Sequence, residues 1–215
     1  MKPTFTISEV FSTSWKCLKQ NIWILVGLLV GYLIISGILN MFMSPNELTV
    51  GAFIILLIST VLQLIFQLGY TKNMFQALDG IEPQFSAYGQ QASKILNAFI
   101  ASLIAGIATF IGLVLLIIPG IYIGIRLGFF SCFIVEENAG PIEALKKSWE
   151  LTKGQELPLF VLLLVMIGII LVGIILLGIG VLVAAPLVSL MSCYVFRKLN
   201  TPVAVLEEVV DDVIA

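Results

Sequence analysis

The chain has 215 residues, of which Asp, Glu, Lys and Arg make up only 11% while hydrophobic residues make up 60%, with a net charge of −2. An ordinary globular chain carries about 25% charged residues, so this composition excludes a soluble domain, which could not cover its surface with so few charges. Histidine is absent, which removes imidazole acid–base catalysis, His-dependent nucleophile systems and imidazole metal ligands, and the lack of a basic excess leaves no field to recruit nucleic acid.

Between consecutive charges lie uncharged runs of 27 residues (after Lys19), 24 (after Glu47), 31 (after Lys94), 9 (after Arg126) and 40 (after Glu156). A helix needs about 20 apolar residues to cross a bilayer core of roughly 30 Å. These runs therefore supply six crossings, expected at about 22–42, 48–70, 95–118, 121–137, 157–177 and 181–199. The N-terminal Met1-Lys2-Pro3-Thr4 leads into a polar amphipathic stretch and not an apolar one, so no cleavable signal peptide is expected.

The stretch from Thr6 to Lys19 opens with the capping-box pattern Thr6-x-x-Glu9, and Ile7, Val10, Phe11, Ser14, Trp15 and Leu18 share one helical face. Span one should end at Ser44-Pro45-Asn46. Span two carries Gln63 and Gln67 on one face, and Asn97 enters span three at a similar depth. The three could line a polar path, although hydrogen bonds between helices are the more economical role. A weaker amphipathic stretch with Phe85, Tyr88 and Ala92 precedes span three, which is expected to stop at Pro119-Gly120.

Span four holds the one charge inside an apolar run, Arg126. Such a residue is costly in a bilayer and faces the bundle interior or water. No acidic residue inside another span offers itself as a partner. Arg126 is therefore a candidate contact for an anionic headgroup or solute, against the alternatives of snorkelling outward or bonding to carbonyls at the Pro119-Gly120 turn. Gly120, Gly124 and Gly128 form a small-residue face for helix packing, matched by Ala101 and Ala105 on span three.

A third amphipathic stretch runs from Pro141 to Lys153, with Pro141 at a first helical position, Gly154 as a stop and Glu143–Lys147 as an i,i+4 ion pair. It matches the first at an offset of 134: Glu9/Glu143, Ser14/Ser148, Trp15/Trp149 and Lys19/Lys153 share the pattern E-x4-S-W-x3-K. Trp15, Lys19, Trp149 and Lys153 are the expected interfacial anchors, tryptophan at the membrane surface and lysine toward phosphate. The 40-residue run divides at Gly178-Ile179-Gly180 into spans five and six. Residues 201–215 read as an acidic amphipathic tail, with Val205, Leu206, Val209 and Val210 opposite Glu207, Glu208, Asp211 and Asp212. An anionic leaflet would repel this tail, so a protein partner or the Lys146/Lys147/Lys153 segment is its expected contact.

With the N-terminus cytoplasmic, ten of the eleven cations fall in cytoplasmic segments, and Arg126 is the exception. The positive-inside rule then sets both termini in the cytoplasm. The expected fold is an all-α polytopic membrane protein: residues 1–200 form one domain of six transmembrane helices in three hairpins, each preceded by an interfacial amphipathic helix. Cys17, Cys132 and Cys193 lack the spacing of a metal or redox motif, and Cys132 and Cys193 lie in apolar runs as small buried hydrophobes.

The stretch Ile118-Pro119-Gly120-Ile121, Arg126-Leu127, Val135-Glu136-Glu137 and then Pro141-Ile142-Glu143-Ala144-Leu145-Lys146-Lys147-Ser148-Trp149-Glu150-Leu151-Thr152-Lys153-Gly154 resembles a prokaryotic group of six-pass proteins. That group is similar to the membrane domain of glycerophosphoryl diester phosphodiesterases and includes the YciC-like proteins. The resemblance implies a multi-pass protein of the inner membrane that acts in the membrane and not in catalysis, since no soluble catalytic domain accompanies it here. The expected function is non-enzymatic, lipid-interacting or scaffolding, without cofactor, metal or nucleic acid; the competing expectation is a small transporter or channel for an anionic or amphipathic solute that uses Arg126. An intramembrane enzyme ranks third, because no nucleophile–base pair is visible.

Overall fold

The computed structural model describes residues 5–42, 50–176, 178 and 180–200, and among these every regular element is helical. The acidic tail 201–215 and the expected turn at Ser44-Pro45-Asn46 lie outside the described residues.

Helix α1 (Ile7–Met41) is continuous over 35 residues, about 52 Å at 1.5 Å per residue. The first amphipathic stretch is thus the opening of span one and not a separate helix. Nothing between Cys17 and Trp23 interrupts it: the segment contains neither Gly nor Pro, and Asn21 spends its side-chain amide on the Cys17 carbonyl at 3.1 Å. Helix α2 (Val50–Leu78) runs eight residues past the expected end at Tyr70. A short α3 (Ser86–Gln91) and one 3₁₀ turn lead into α4 (Ile95–Leu115).

The hairpin after α4 turns at Leu116, the single extended residue before α5 (Ile117–Leu127). This corrects the expected turn at Pro119-Gly120. Proline is tolerated in the first turn of a helix, where its missing N–H has no intrahelical acceptor, so Pro119 sits inside α5. Gly120 is needed for a different reason. A Cβ there would stand 2.4 Å from Leu113 Cγ and 2.6 Å from the Leu113 nitrogen, and one at Gly112 would stand 2.9 Å from Gly120 Cα. The two glycines let α4 and α5 close on each other. Gly124 and Gly128, expected on the same packing face, do not press on α4 in this way: a Cβ at Gly124 would meet only Thr109 Cγ2, at 3.7 Å, and one at Gly128 only carbonyls of its own helix.

The fourth span is broken. Helix α5 ends at Leu127, and α6 (Phe130–Glu137) restarts after Gly128-Phe129. A left-handed Asn138 (φ 54°) turns the chain into α7 (Pro141–Leu151). Gly154, at φ 79°, then separates α7 from α8 (Glu156–Ile175), a conformation that glycine adopts at no steric cost. Helix α9 (Val181–Asn200) completes the chain and accommodates Pro186 within its second turn.

Six helices or helix pairs are long and apolar enough to cross a membrane: Ile7–Met41, Val50–Leu78, Ser86–Leu115, Ile117–Glu137, Glu156–Ile175 and Val181–Asn200. Much of their surface is exposed and apolar, from Ile34 and Phe53 to Phe110, Ile118 and Ile175. The core lies where α2, α6 and α9 meet, with Leu68, Met74, Phe75, Ile134, Leu190, Met191 and Phe196 fully buried or nearly so.

The glycine geometry separates two substitutions of the same kind. Gly120→Ala should destabilise the protein by about 1–3 kcal/mol, the usual cost of overpacking. Gly124→Ala should be neutral or stabilise by up to about 1 kcal/mol, as expected for Gly→Ala in an open helical position. Thermal unfolding midpoints of the purified, detergent-solubilised variants give the comparison.

Candidate functional site

Charged residues close the end of the bundle where α1 starts and α2, α6 and α9 finish. Glu136 at the end of α6 accepts from Lys72 of α2 at 3.2 Å and from Arg197 of α9 at 3.0 Å. The Arg197 guanidinium also forks onto both carboxylate oxygens of Asp79 at the end of α2, one of them at 2.9 Å, and lies 4.9 Å from the Phe75 ring centre. Beneath it Phe196 meets Phe133 edge-on at 4.9 Å and Phe75 at 5.7 Å. An ionic lid therefore covers an aromatic plug contributed by three helices. Glu9 of α1 joins the same end, accepting from Tyr194 Oη at 2.8 Å and pairing with Lys198. Lys94 donates to the Val135 carbonyl at 2.8 Å.

Arg126 sits at the break in span four and is 3% exposed. Its Nη1 donates to Glu156 Oε1 at 2.8 Å. This supplies the partner that no span interior offered: Glu156 is the first residue of α8, and the fold carries it to the break. The guanidinium carbon stands 4.5 Å from the Trp149 ring centre and 5.7 Å from that of Tyr122. A cation over desolvated aromatic faces gains on the order of 2 kcal/mol. Trp149, expected as a membrane anchor, also covers this buried cation. Nε of Arg126 is buried with no hydrogen-bond partner among the described residues.

The break itself is mended by α7. The Ser148 hydroxyl donates to the Arg126 carbonyl at 2.8 Å and accepts from the Phe129 N–H at 3.1 Å, while Thr152 Oγ1 reaches the same carbonyl at 3.4 Å. Where a helix is interrupted away from water, such backbone groups must find a partner within the protein. Helix α7 is held in turn by Lys147, which bridges Glu143 at 2.8 Å and Glu137 at 2.9 Å. Those bonds, with Glu143 leading, raise the Lys147 pKa, and the Lys147 bond followed by the Gly140 N–H lowers that of Glu143. The lowered carboxyl keeps this contact intact at neutral pH, and acid removes it only as pH falls through that depressed value.

The offset of 134 extends beyond the shared motif to burial. Val10 and Ala144, Ser14 and Ser148, and Leu18 and Thr152 are all fully buried, and Trp15 (37%) and Trp149 (39%) are equally exposed. The two stripes pack differently, however. Ser14 Oγ is buried without a hydrogen-bond partner among the described residues, whereas Ser148 joins two backbone groups.

Other sequence candidates remain dispersed. Gln63 is exposed, Gln67 and Asn97 are partly buried, and no side-chain hydrogen bond joins them among the described residues. Lys19 and Lys153 are exposed. The residues that sequence reasoning missed are Glu156, Glu136, Asp79 and Arg197, which meet only through the fold. One signal was present: the chain has two arginines against nine lysines. Both arginines are stacked and paired, as expected of a planar, weakly hydrated guanidinium, and Lys198 shares the arrangement more loosely, paired with Glu9 and 6.0 Å from the Tyr194 ring centre. Among the described residues no cluster of three or more acidic or thiol side chains is able to hold a metal.

Two apolar grooves flank α5. One, of about 350 Å³, lies between α4, α5 and α8 and is lined by Leu113, Ile121, Gly124, Leu159, Leu162 and Met166, among others. The other, of about 410 Å³, is lined on its own side by Ser102, Ala105, Gly106, Phe110, Leu127 and Phe130. Thr109, Leu113, Gly124 and Gly128 line both.

The fold and the charged end define an all-helical, multi-pass membrane protein. The chain belongs to the family described as a domain of unknown function, DUF7847, whose model matches residues 85–215, from the residue before α3 to the C-terminus. No curated protein and no solved structure matches it.

The roles of the two related serines diverge in a measurable way. Ser148→Ala strands the Phe129 N–H and should cost about 1–3 kcal/mol, the penalty for an unsatisfied buried group. Ser14→Ala removes a hydroxyl that bonds to nothing and should be neutral or stabilising. Thermal unfolding of the two purified variants, side by side, checks the difference.

Proposed function

We propose that this protein is a non-enzymatic, lipid-interacting scaffold of a prokaryotic inner membrane, with both termini in the cytoplasm. The observation that carries the reading is the closed charged end. The charged side chains at this end, Lys72, Asp79, Glu136 and Arg197, are spent on one another above the packed rings of Phe75, Phe133 and Phe196. Arg126 is likewise committed to Glu156 and two aromatic rings. The openings that remain are lateral and apolar, on the surface that a membrane-spanning bundle turns to lipid.

Three hairpins, each with a leading amphipathic segment, form a closed ring in this proposal. The support is the packing. Segment α3 lies on α2, with Tyr88 seated on Gly69, and α7 lies on α6 and α5 and also touches α4. The opening turns of α1 lie on α9 through Glu9, Tyr194 and Lys198. Each leading segment thus covers the second helix of the hairpin before it, and the first closes on the last. The proposal also draws on the resemblance read from the sequence of Pro119–Gly154 to the glycerophosphoryl diester phosphodiesterase membrane domain and the YciC-like proteins, a kinship proposed here beyond the family match over residues 85–215. The single-sided distribution of lysine agrees with the orientation.

Reconstitution into liposomes tests the function. The protein should give no flux of small organic anions above that of empty vesicles, and Arg126→Ala should leave that baseline unchanged. Native mass spectrometry of the protein released from the same vesicles should find phospholipid retained. Flux that disappears in a folded Arg126→Ala variant would make the protein a transporter, and a lipid-free protein would remove lipid contact from its function.

A further inference from the structure

The two grooves beside α5 exist because α5 lacks side chains where they meet. Gly120 is consumed by the close approach to Leu113, but Gly124 and Gly128 are not required by any neighbouring helix. These two glycines, with Thr109 and Leu113 of α4, line both apolar volumes. A helix packing face would be filled at these positions, and this one is left open.

The surroundings constrain what fills it. The walls are mostly aliphatic and aromatic side chains, with Ser102, Thr109 and Ser192 among them, within helices of membrane-crossing length. At that depth the available medium is acyl chain, not water. The volumes come as a pair, similar in size and joined along one ridge, so the matching ligand has two chains. The ends of the grooves nearest the charged end are marked by Leu127, Gly128, Phe129 and Leu159. Leu159 is three residues from Glu156 on α8, and Gly128 is two from Arg126 on α5, which places the Arg126–Glu156 pair within about one helical turn of both grooves. The exposed Lys153 lies three residues before Glu156, in the short connection between α7 and α8. Arg126 is spent on Glu156, which leaves the exposed Lys153 ammonium as the cation offered to a headgroup, and the buried Arg126 Nε has no acceptor among the described residues.

We infer that the grooves on either side of α5 bind one anionic diacyl phospholipid, one chain in each groove across Gly124, with its phosphate at Lys153 beside the Arg126–Glu156 pair. This rests on the lipid-interacting reading and names the lipid class and its seat. Gly124 then sets the ridge height, and Lys153 sets the preference for an anionic headgroup.

The experiment is native mass spectrometry of the full chain released from mixed phosphatidylcholine and phosphatidylglycerol vesicles. It compares wild type with Gly124→Leu, Lys153→Gln and the control Gly168→Leu on α8, where a Cβ meets nothing within 4 Å. Wild type and Gly168→Leu should retain one phosphatidylglycerol. Gly124→Leu should retain about tenfold less, equivalent to about 1.4 kcal/mol, with its unfolding midpoint close to that of wild type. Lys153→Gln should keep a phospholipid but lose the preference for phosphatidylglycerol. Should Gly124→Leu prove unfolded, Met166→Trp narrows the first groove from its other wall and should give the same loss. Undiminished phosphatidylglycerol on a folded Gly124→Leu or Met166→Trp would overturn the seat while leaving the lipid reading intact. Wild type free of any lipid would overturn both, and single-chain lysophosphatidylglycerol retained as well as the diacyl form would overturn the two-chain assignment.

Discussion

The structure depends on one constraint: charges and broken backbone in a membrane-crossing bundle must be satisfied by the bundle itself. At the meeting of α2, α6 and α9 the solution is the chain of ion pairs Lys72–Glu136–Arg197–Asp79, laid over three phenylalanine rings. A buried or half-buried ion pair is a weak source of net stability, because desolvation offsets much of the attraction. Its effect here is positional. Removing any one member would leave another uncompensated, so the network fixes which helix ends come together and in what register.

The same constraint explains α7. On composition it is an amphipathic segment suited to a membrane surface. In the fold it is also the element that makes a broken span tolerable. Ser148 satisfies one donor and one acceptor at the break, Trp149 covers the Arg126 cation, and Glu156, the first residue of α8, neutralises it. The related stripe at the start of α1 has the same burial at Val10, Ser14 and Leu18, but α1 faces no broken helix and Ser14 has no bond to make. A shared pattern thus marks a shared docking face, and the local chemistry differs with what each face covers.

The six spans were legible in the spacing of charge, because a long uncharged run has few structural uses other than crossing a bilayer. Arg126 was legible as the charge that needed a partner. The partner was not, since Glu156 borders an apolar run and reads as the edge of a span. Glu136 and Arg197 are 61 residues apart, and no local pattern joins them. The hairpin turn was misplaced because Pro-Gly is a strong turn signal in isolation; near the start of a helix the same pair is compatible with α structure, and the glycine served helix contact instead. The divided role of the glycines on α5 was also beyond sequence, because spacing identifies a bare helix face without saying what lies against it.

The central claim is that the charged end is closed, and the native thiols report on it directly. Cys132 and Cys193 are buried on α6 and α9, beside Phe133 and one turn from Phe196. Proteoliposomes treated with a small, charged methanethiosulfonate reagent on both sides of the membrane should leave both cysteines unmodified by peptide mass mapping, while denatured protein is labelled at each. Labelling of either thiol in the folded protein would show water reaching the core beneath the ionic lid, and would contradict the account.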